Sequence, residues 1–174
     1  TQDRVIIVSN FTSTLNLLQR YCVRQKFPFL RLDGRTKADI RSKMVNEFNS
    51  DSGSDHLGKQ PFVFLLSSKS GGVGLNLIGA NRLILFDSDW NPATDRQAMA
   101  RIHRDGQLKP CFIYRLLLVG SMDEKIYQRQ ITKIGLSDSL MSNEATKDHD
   151  VASSSDTFSQ EELPVSYTHL TLPT

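Results

Sequence analysis

The sequence predicts an α/β domain with a mostly parallel central sheet, and three observations predict it. Short apolar runs alternate with stretches of helical period from Val5 to about Ile134. The run Phe62–Ser67 is apolar without polar alternation, as expected of a strand buried on both faces. Turn chemistry follows these runs directly, as Asp33-Gly34 and as the glycine-rich KSGGVG at residues 69–74.

Taken in order, Val5–Val8 is the first strand, and the TST at residues 12–14 offers N-caps to a helix. That helix carries Leu15, Leu18 and Cys22 on one side. Phe29–Leu32 is a second strand. Thr36 and Asp39 have capping-box spacing ahead of a helix with Ile40, Met44 and Phe48 four apart. NSDSGSDHLGKQP reads as a surface loop by composition. Phe62–Ser67 and Arg82–Phe86 are the next strands. Asn91-Pro92 starts a helix, with asparagine at the cap and proline at the first helical position. Phe112–Val119 is a further strand, and Ser121 to Glu124 is a second capping box for a helix reaching about Ile134. No internal repeat is visible.

Composition narrows the function classes. With 39% hydrophobic and 23% charged residues, the chain has the make-up of a soluble globular domain. No apolar run approaches the roughly 18 residues of a membrane span. Signal and transit patterns are absent from the N-terminus, which opens almost at once on a strand and reads as a cut inside a larger protein. Cys22 and Cys111 stand far apart without CxxC or histidine company, so both are expected as reduced, buried thiols of an intracellular protein. Charge is divided unevenly. Residues 1–135 hold 20 Lys and Arg against 12 Asp and Glu, a net of +8, whereas residues 136–174 hold 1 against 7, a net of −6. A basic body suits a polyanion such as nucleic acid. The division suggests a folded domain over 1–135 and an acidic, disordered tail over 136–162. Residues 163–174, ending in VSYTHLTLPT, fit nothing before them and read as a non-native read-through.

Two stretches carry chemistry. SSKSGGVGLNL, residues 67–77, follows a buried strand, and its adjacent glycines allow a backbone N–H nest for phosphate. A plain structural turn explains the same residues. Gly72-x-Gly74 before a strand that leads to Asp87 also mimics a dinucleotide-binding fingerprint. Leu77 at the third glycine position, and the short span from Leu75 to Arg82, count against that rival. The second stretch is DRQAMARIHRDGQ, residues 95–107. On a continuous helix Gln97, Arg101 and Arg104 share one stripe, while Ala98 and Ile102 point inward. Two guanidinium forks beside an amide suit phosphoryl oxygens, although a solvated helix face has the same pattern. The helix is expected near the sheet edge where α/β ligands bind. His103 falls off the stripe, and Trp90 reads as packing rather than as a stacking platform.

These residues carry a resemblance. VSNFTSTLNLLQ, RLDGRT, SSKSGGVGLNLIGANRLILFDSDWNPATDRQAMARIHRDGQ and YRLL resemble, in order and spacing, motifs IV to VI of the second RecA-like lobe of Swi/Snf-type superfamily-two DNA translocases. The resemblance covers about residues 4–135. Ala100, RDGQ, IYQRQITKIGL and FSQEEL resemble the homologous-recombination repair subgroup, nearest its B-type vertebrate paralogue. Asn10 departs from the glutamine common in motif IV.

The resemblance implies a RecA-like three-layer domain and, in the full protein, a nuclear ATP-driven motor on double-stranded DNA that acts on recombinase filaments and chromatin. It implies Arg101 and Arg104 as catalytic arginines reaching the ATP phosphates, with Gln97, Gly71, Gly72 and Gly74 at the nucleotide. Thr12, Thr36, Ser68 and Lys69 match positions near the DNA backbone; each also reads as an N-cap or an exposed side chain. No GxxxxGK[ST] loop and no Asp-Glu metal motif occur in the chain. ATP and Mg²⁺ are therefore expected to be held mainly by the first RecA-like lobe, which this chain lacks. The fragment alone is expected to be inactive. A non-catalytic interaction module with a basic docking face, and an RNA helicase lobe, are the alternatives.

Overall fold

The computed structural model describes residues 3–50, 60–70 and 75–145. Among these described residues nine elements follow one another: β1 (Val5–Ser9), α1 (Thr12–Gln25), β2 (Phe29–Leu32), α2 (Ala38–Asn49), β3 (Val63–Ser67), β4 (Arg82–Leu85), α3 (Pro92–Met99), β5 (Phe112–Arg115) and α4 (Met122–Ala145). The strands form one parallel sheet in the order β2-β3-β1-β4-β5. This is the expected parallel α/β architecture.

Register sorts the strand residues into two faces. Val5 pairs with Val63 and Arg82, and Ile6 with Phe64 and Leu83, so alternate residues align across the sheet. One face carries Ile6, Val8, Leu32, Phe64, Leu66, Leu83 and Leu85, packed with Phe48 of α2, Ala98 of α3, and Leu77, Ala80 and Ile102. The other carries Val63 and Leu65 against Leu15 and Cys22 of α1. Sheet and two helical layers make the three-layer RecA-like fold. β3 is buried along its whole length, as its unbroken apolar run requires. Each fully buried Leu or Phe there contributes roughly 1.5–3 kcal/mol.

Several expected details are corrected. α1 has Phe11 at its N-cap without a side-chain hydrogen bond, so the TST hydroxyls do not cap it. Ser9 Oγ instead accepts from Phe11 N at 3.1 Å just ahead of the helix. At α2 the N-cap is Lys37, also without a side-chain bond, because Thr36 Oγ1 already accepts from Asp33 N at 3.2 Å in the preceding turn. Ile40 is exposed, and Phe48 alone of its stripe is fully buried. β5 ends at Arg115, opposite Leu85 where its neighbour β4 also ends, so the ladder does not continue along Leu116–Val119. Asn91 and Pro92 start α3 as expected, with Asn91 Oδ1 accepting from Ala93 N at 3.1 Å. Ser121 Oγ caps Asp123 N at 3.1 Å, while Glu124 reaches one residue further back, to Gly120 N at 2.8 Å.

α4 continues to Ala145, well past Ile134, so the first ten residues assigned to the tail are helical. The compact unit holding the sheet is Thr1–Asp138, and a second unit comprises Ser139–Thr174. The rest of the expected tail and the read-through segment lie outside the described residues. Cys22 is buried and Cys111 half-buried, both as free thiols, so only Cys22 meets the expectation of burial.

Candidate nucleotide and nucleic-acid interface

The carboxyl ends of β1, β2 and β3 lie side by side, with Ser9 opposite Ser67 and Leu32 opposite Leu66. Each of the four candidate DNA residues follows one of these ends, so the fold gathers Thr12, Thr36, Ser68 and Lys69 on one edge. Thr12 opens α1 and is exposed, and Lys69 is exposed as well. Ser68 is half-buried, its N donates to Ser9 O at 3.0 Å, and its hydroxyl donates to Asn10 Oδ1. Thr36 is tied to Asp33, and Arg41 binds both its carbonyl (2.8 Å) and that of Ser70 (3.0 Å). Thr12 and Lys69 present their polar ends to solvent, whereas Ser68 and Thr36 are used first to hold turns.

Asp87 connects this edge, and sequence reasoning missed it. Its carboxylate accepts from Asn10 N at 2.7 Å and from the Ser9 hydroxyl. A chain of hydrogen bonds thus runs from β4 through Asn10 to Ser68 after β3. Asn10, the departure in motif IV, is a working member of it. No local pattern could reveal a partnership across 77 residues.

The second cluster lies past α3. Gln97 is exposed and Ala98 and Ile102 are buried, as expected. The continuous helical stripe is not found. α3 stops at Met99, after which Arg101 N bonds Ala98 O (3.2 Å) and Ile102 N bonds Met99 O (3.3 Å), three residues back instead of four. Tertiary bonds explain the stop. Arg101 O accepts from Leu77 N at 3.0 Å, and Gln107 Nε2 donates to the carbonyls of Ile78 (3.2 Å), Ala80 (2.8 Å) and Ile102 (3.2 Å). Those carbonyls of Arg101 and Ile102 would otherwise serve the next helical turn. Gly106 then takes φ +96°, which reverses the chain.

Arg101 is 7% exposed and Arg104 is exposed. Burial first, and then the neighbouring charge of Arg104, pull the Arg101 guanidinium below its ordinary pKa. The Arg104 charge is thus near enough to act on the buried Arg101 guanidinium. α3 begins after the carboxyl end of β4, as expected of the helix, and the turn with the two arginines lies beyond its far end. Gln97 stands on the last helical turn before them. Gly71, Gly72 and Gly74 lie outside the described residues. Residues 75–81 contain no helix, which removes the crossover that the dinucleotide rival requires.

Around this cluster the described residues hold no group of three His, Cys, Asp or Glu able to take a metal ion. No described helix is long and apolar enough to cross a membrane. Trp90 is 55% exposed, with the Arg129 guanidinium 5.7 Å from its ring centroid, which corrects its reading as a packing residue. It stands in the loop between β4 and α3, outside the core. His103 is exposed.

Residues 1–106 match the family described as helicase conserved C-terminal domain. This chain belongs to that family. Helicase C-terminal lobes of known sequence place it further. It is 53% identical over 144 residues to the human DNA repair and recombination protein RAD54-like, which covers 83% of this chain and 18% of that protein. It is equally 53% identical, over 147 residues, to human DNA repair and recombination protein RAD54B, covering 84% and 16%. Against the Oryza sativa subsp. japonica protein RAD54 the identity is 52%, covering 83% and 14%. Among solved structures it resembles the C-terminal part of the Fun30 ATPase domain, with a TM-score of 0.67 and 40% identity over 74% of this chain and 39% of that one. The chain is therefore a Swi/Snf-type C-terminal lobe of the recombination-repair subgroup, and identity alone does not separate the two human paralogues. It spans less than a quarter of the length of these curated relatives.

Proposed function

We propose that this lobe is the C-terminal half of an ATP-dependent double-stranded DNA translocase acting in homologous-recombination repair in the nucleus. The observation that supports it best is the buried Arg101, followed by the exposed Arg104, on a turn bonded to the segment after the glycine-rich loop. ATP supplies the phosphoryl group, with Mg²⁺ held mainly by the first RecA-like lobe. Arg101 and Arg104 are the catalytic arginines, offering guanidinium N–H groups to the oxygens over which charge spreads as the terminal phosphoryl leaves. Gln97 orients that pair, and Gly71, Gly72 and Gly74 lie between nucleotide and DNA. Thr12, Thr36, Ser68 and Lys69 meet the DNA backbone, which makes binding salt-dependent and indifferent to sequence. Recombination in the relatives' names agrees with a recombinase filament as a further partner.

The full-length protein tests this reading. Arg104→Ala should lower DNA-stimulated ATP turnover by about a thousandfold or more, with DNA affinity within a few-fold of the parent. Unchanged turnover, or equal loss of folding and both activities, points instead to a non-catalytic lobe docking a partner through its basic face. Preferential stimulation by RNA would move it to the RNA helicases.

A further inference from the structure

Gln130 of α4 is a polar side chain only 2% exposed. Its Nε2 donates to Asp95 Oδ2 at 2.9 Å and to the Asp89 carbonyl, and its Oε1 accepts from Arg115 NH1 at 2.7 Å. Arg115 NH1 also binds Asp95 Oδ2 at 2.8 Å, and its guanidinium lies 4.9 Å from the Tyr127 ring centroid. Asp95 is 4% exposed, and its second oxygen accepts from Asp89 N at 3.3 Å. One amide from α4 therefore joins the end of β5, the loop after β4 and the first turn of α3. The geometry is directional. Asp95 lies two residues before Gln97 and six before Arg101, on a helix of only eight residues. The junction anchors the first turn of this short helix, while Leu77 and Gln107 hold the turn beyond its far end.

We propose that Gln130 is a positioning residue for the arginine pair, acting through Asp95 and Arg115 to set the placement of α3. This rests on the reading of Arg101 and Arg104 as the nucleotide-facing arginines. A carboxylate held by three N–H donors, from α4, from β5 and from the loop after β4, has one orientation. Without the amide, Arg115 and Asp89 N remain on Asp95, so the first turn of α3 is held less firmly while the lobe stays folded, because the apolar contacts of Ala98 and Ile102 are kept.

The experiment uses the full-length protein with Gln130→Met, which fills the volume and removes the hydrogen bonds. DNA-stimulated kcat should fall about tenfold, with DNA affinity within twofold and the melting temperature within a few degrees. Ile126→Val, on the same buried helix face, controls for mere loosening of α4 and should leave kcat within twofold. In an Arg104→Lys background the further loss from Gln130→Met should shrink to less than threefold, as for two groups that act as one. If Gln130→Met folds poorly, Arg115→Lys, which keeps a cation by Asp95 but loses the fork, should reproduce the kcat loss. Unchanged kcat in Gln130→Met, equal loss in Ile126→Val, or full additivity with Arg104→Lys overturns the proposal. If Arg104→Ala itself retains turnover, the underlying nucleotide reading fails instead, so the two failures are distinguishable.

Discussion

At the residue scale, single side chains hold the turn that carries the arginines. Gln107 uses one amide nitrogen for three backbone carbonyls, and its Oε1 accepts from Lys109 N at 3.0 Å. Gln107→Ala should cost about 1–3 kcal/mol in urea unfolding, because half-buried carbonyls lose their donor. Gln107→Glu, which cannot donate and sets a charge among carbonyls, should cost more. The thiols give a pH signature. Burial raises the pKa of Cys22 and, with less cover, that of Cys111. An acid whose folded pKa is raised keeps its proton longer in the native state. Its contribution is therefore complete below the unfolded thiol pKa and is lost as pH rises through the folded one. Iodoacetamide at about pH 8 should label Cys22 only after denaturation, with Cys111 reacting at an intermediate rate.

At the element scale, two glycines respond oppositely to the same change. A Cβ on Gly79 would lie 2.4 Å from Phe48 O and 2.9 Å from Asn49 Cα, the backbone at the end of α2. Asn49 fastens this approach, accepting from Gly79 N at 2.9 Å and donating to Asn76 O at 2.7 Å. Gly79→Ala should destabilise by about 1–3 kcal/mol, since backbone has to shift. Gly135 sits inside α4, and a Cβ there would meet nothing within 4 Å. Gly135→Ala should stabilise by about 0.5–1 kcal/mol through helix propensity. Thermal melts of the two variants check both signs. The elements themselves were largely legible, because apolar period and the Asn-Pro start are local signals. The α3 boundary was not: Arg101 and Ile102 give their carbonyls to Leu77 and Gln107, partners that helical period does not encode.

At the scale of the whole molecule, the proposed function gives this chain half the apparatus of a motor. It has Arg101 and Arg104 and no GxxxxGK[ST] loop anywhere in its 174 residues. The purified chain should show no DNA-stimulated ATP turnover in a coupled phosphate-release assay. It should bind duplex DNA weakly, with affinity falling steeply and linearly on a log–log salt scale. Turnover by the chain alone, or salt-insensitive binding, contradicts the division of labour between lobes. The two clusters follow from topology. Candidate DNA residues leave the carboxyl ends of β1, β2 and β3, whereas the arginines lie beyond the far end of the return helix between β4 and β5.

By itself the sequence determined the alternation of strands and helices, the parallel α/β class, the basic body and the motif spacing that marks a helicase C-terminal lobe. All of these are written in neighbouring residues or in composition, where period and turn chemistry act. Only the tertiary structure decided that β3 lies between β2 and β1, that Asp87 reaches Asn10, that Gln130 reaches Asp95, and that α3 ends before Arg101. Those outcomes turn on which buried carbonyl or carboxylate meets which donor from a distant part of the chain, a competition settled only when the elements pack.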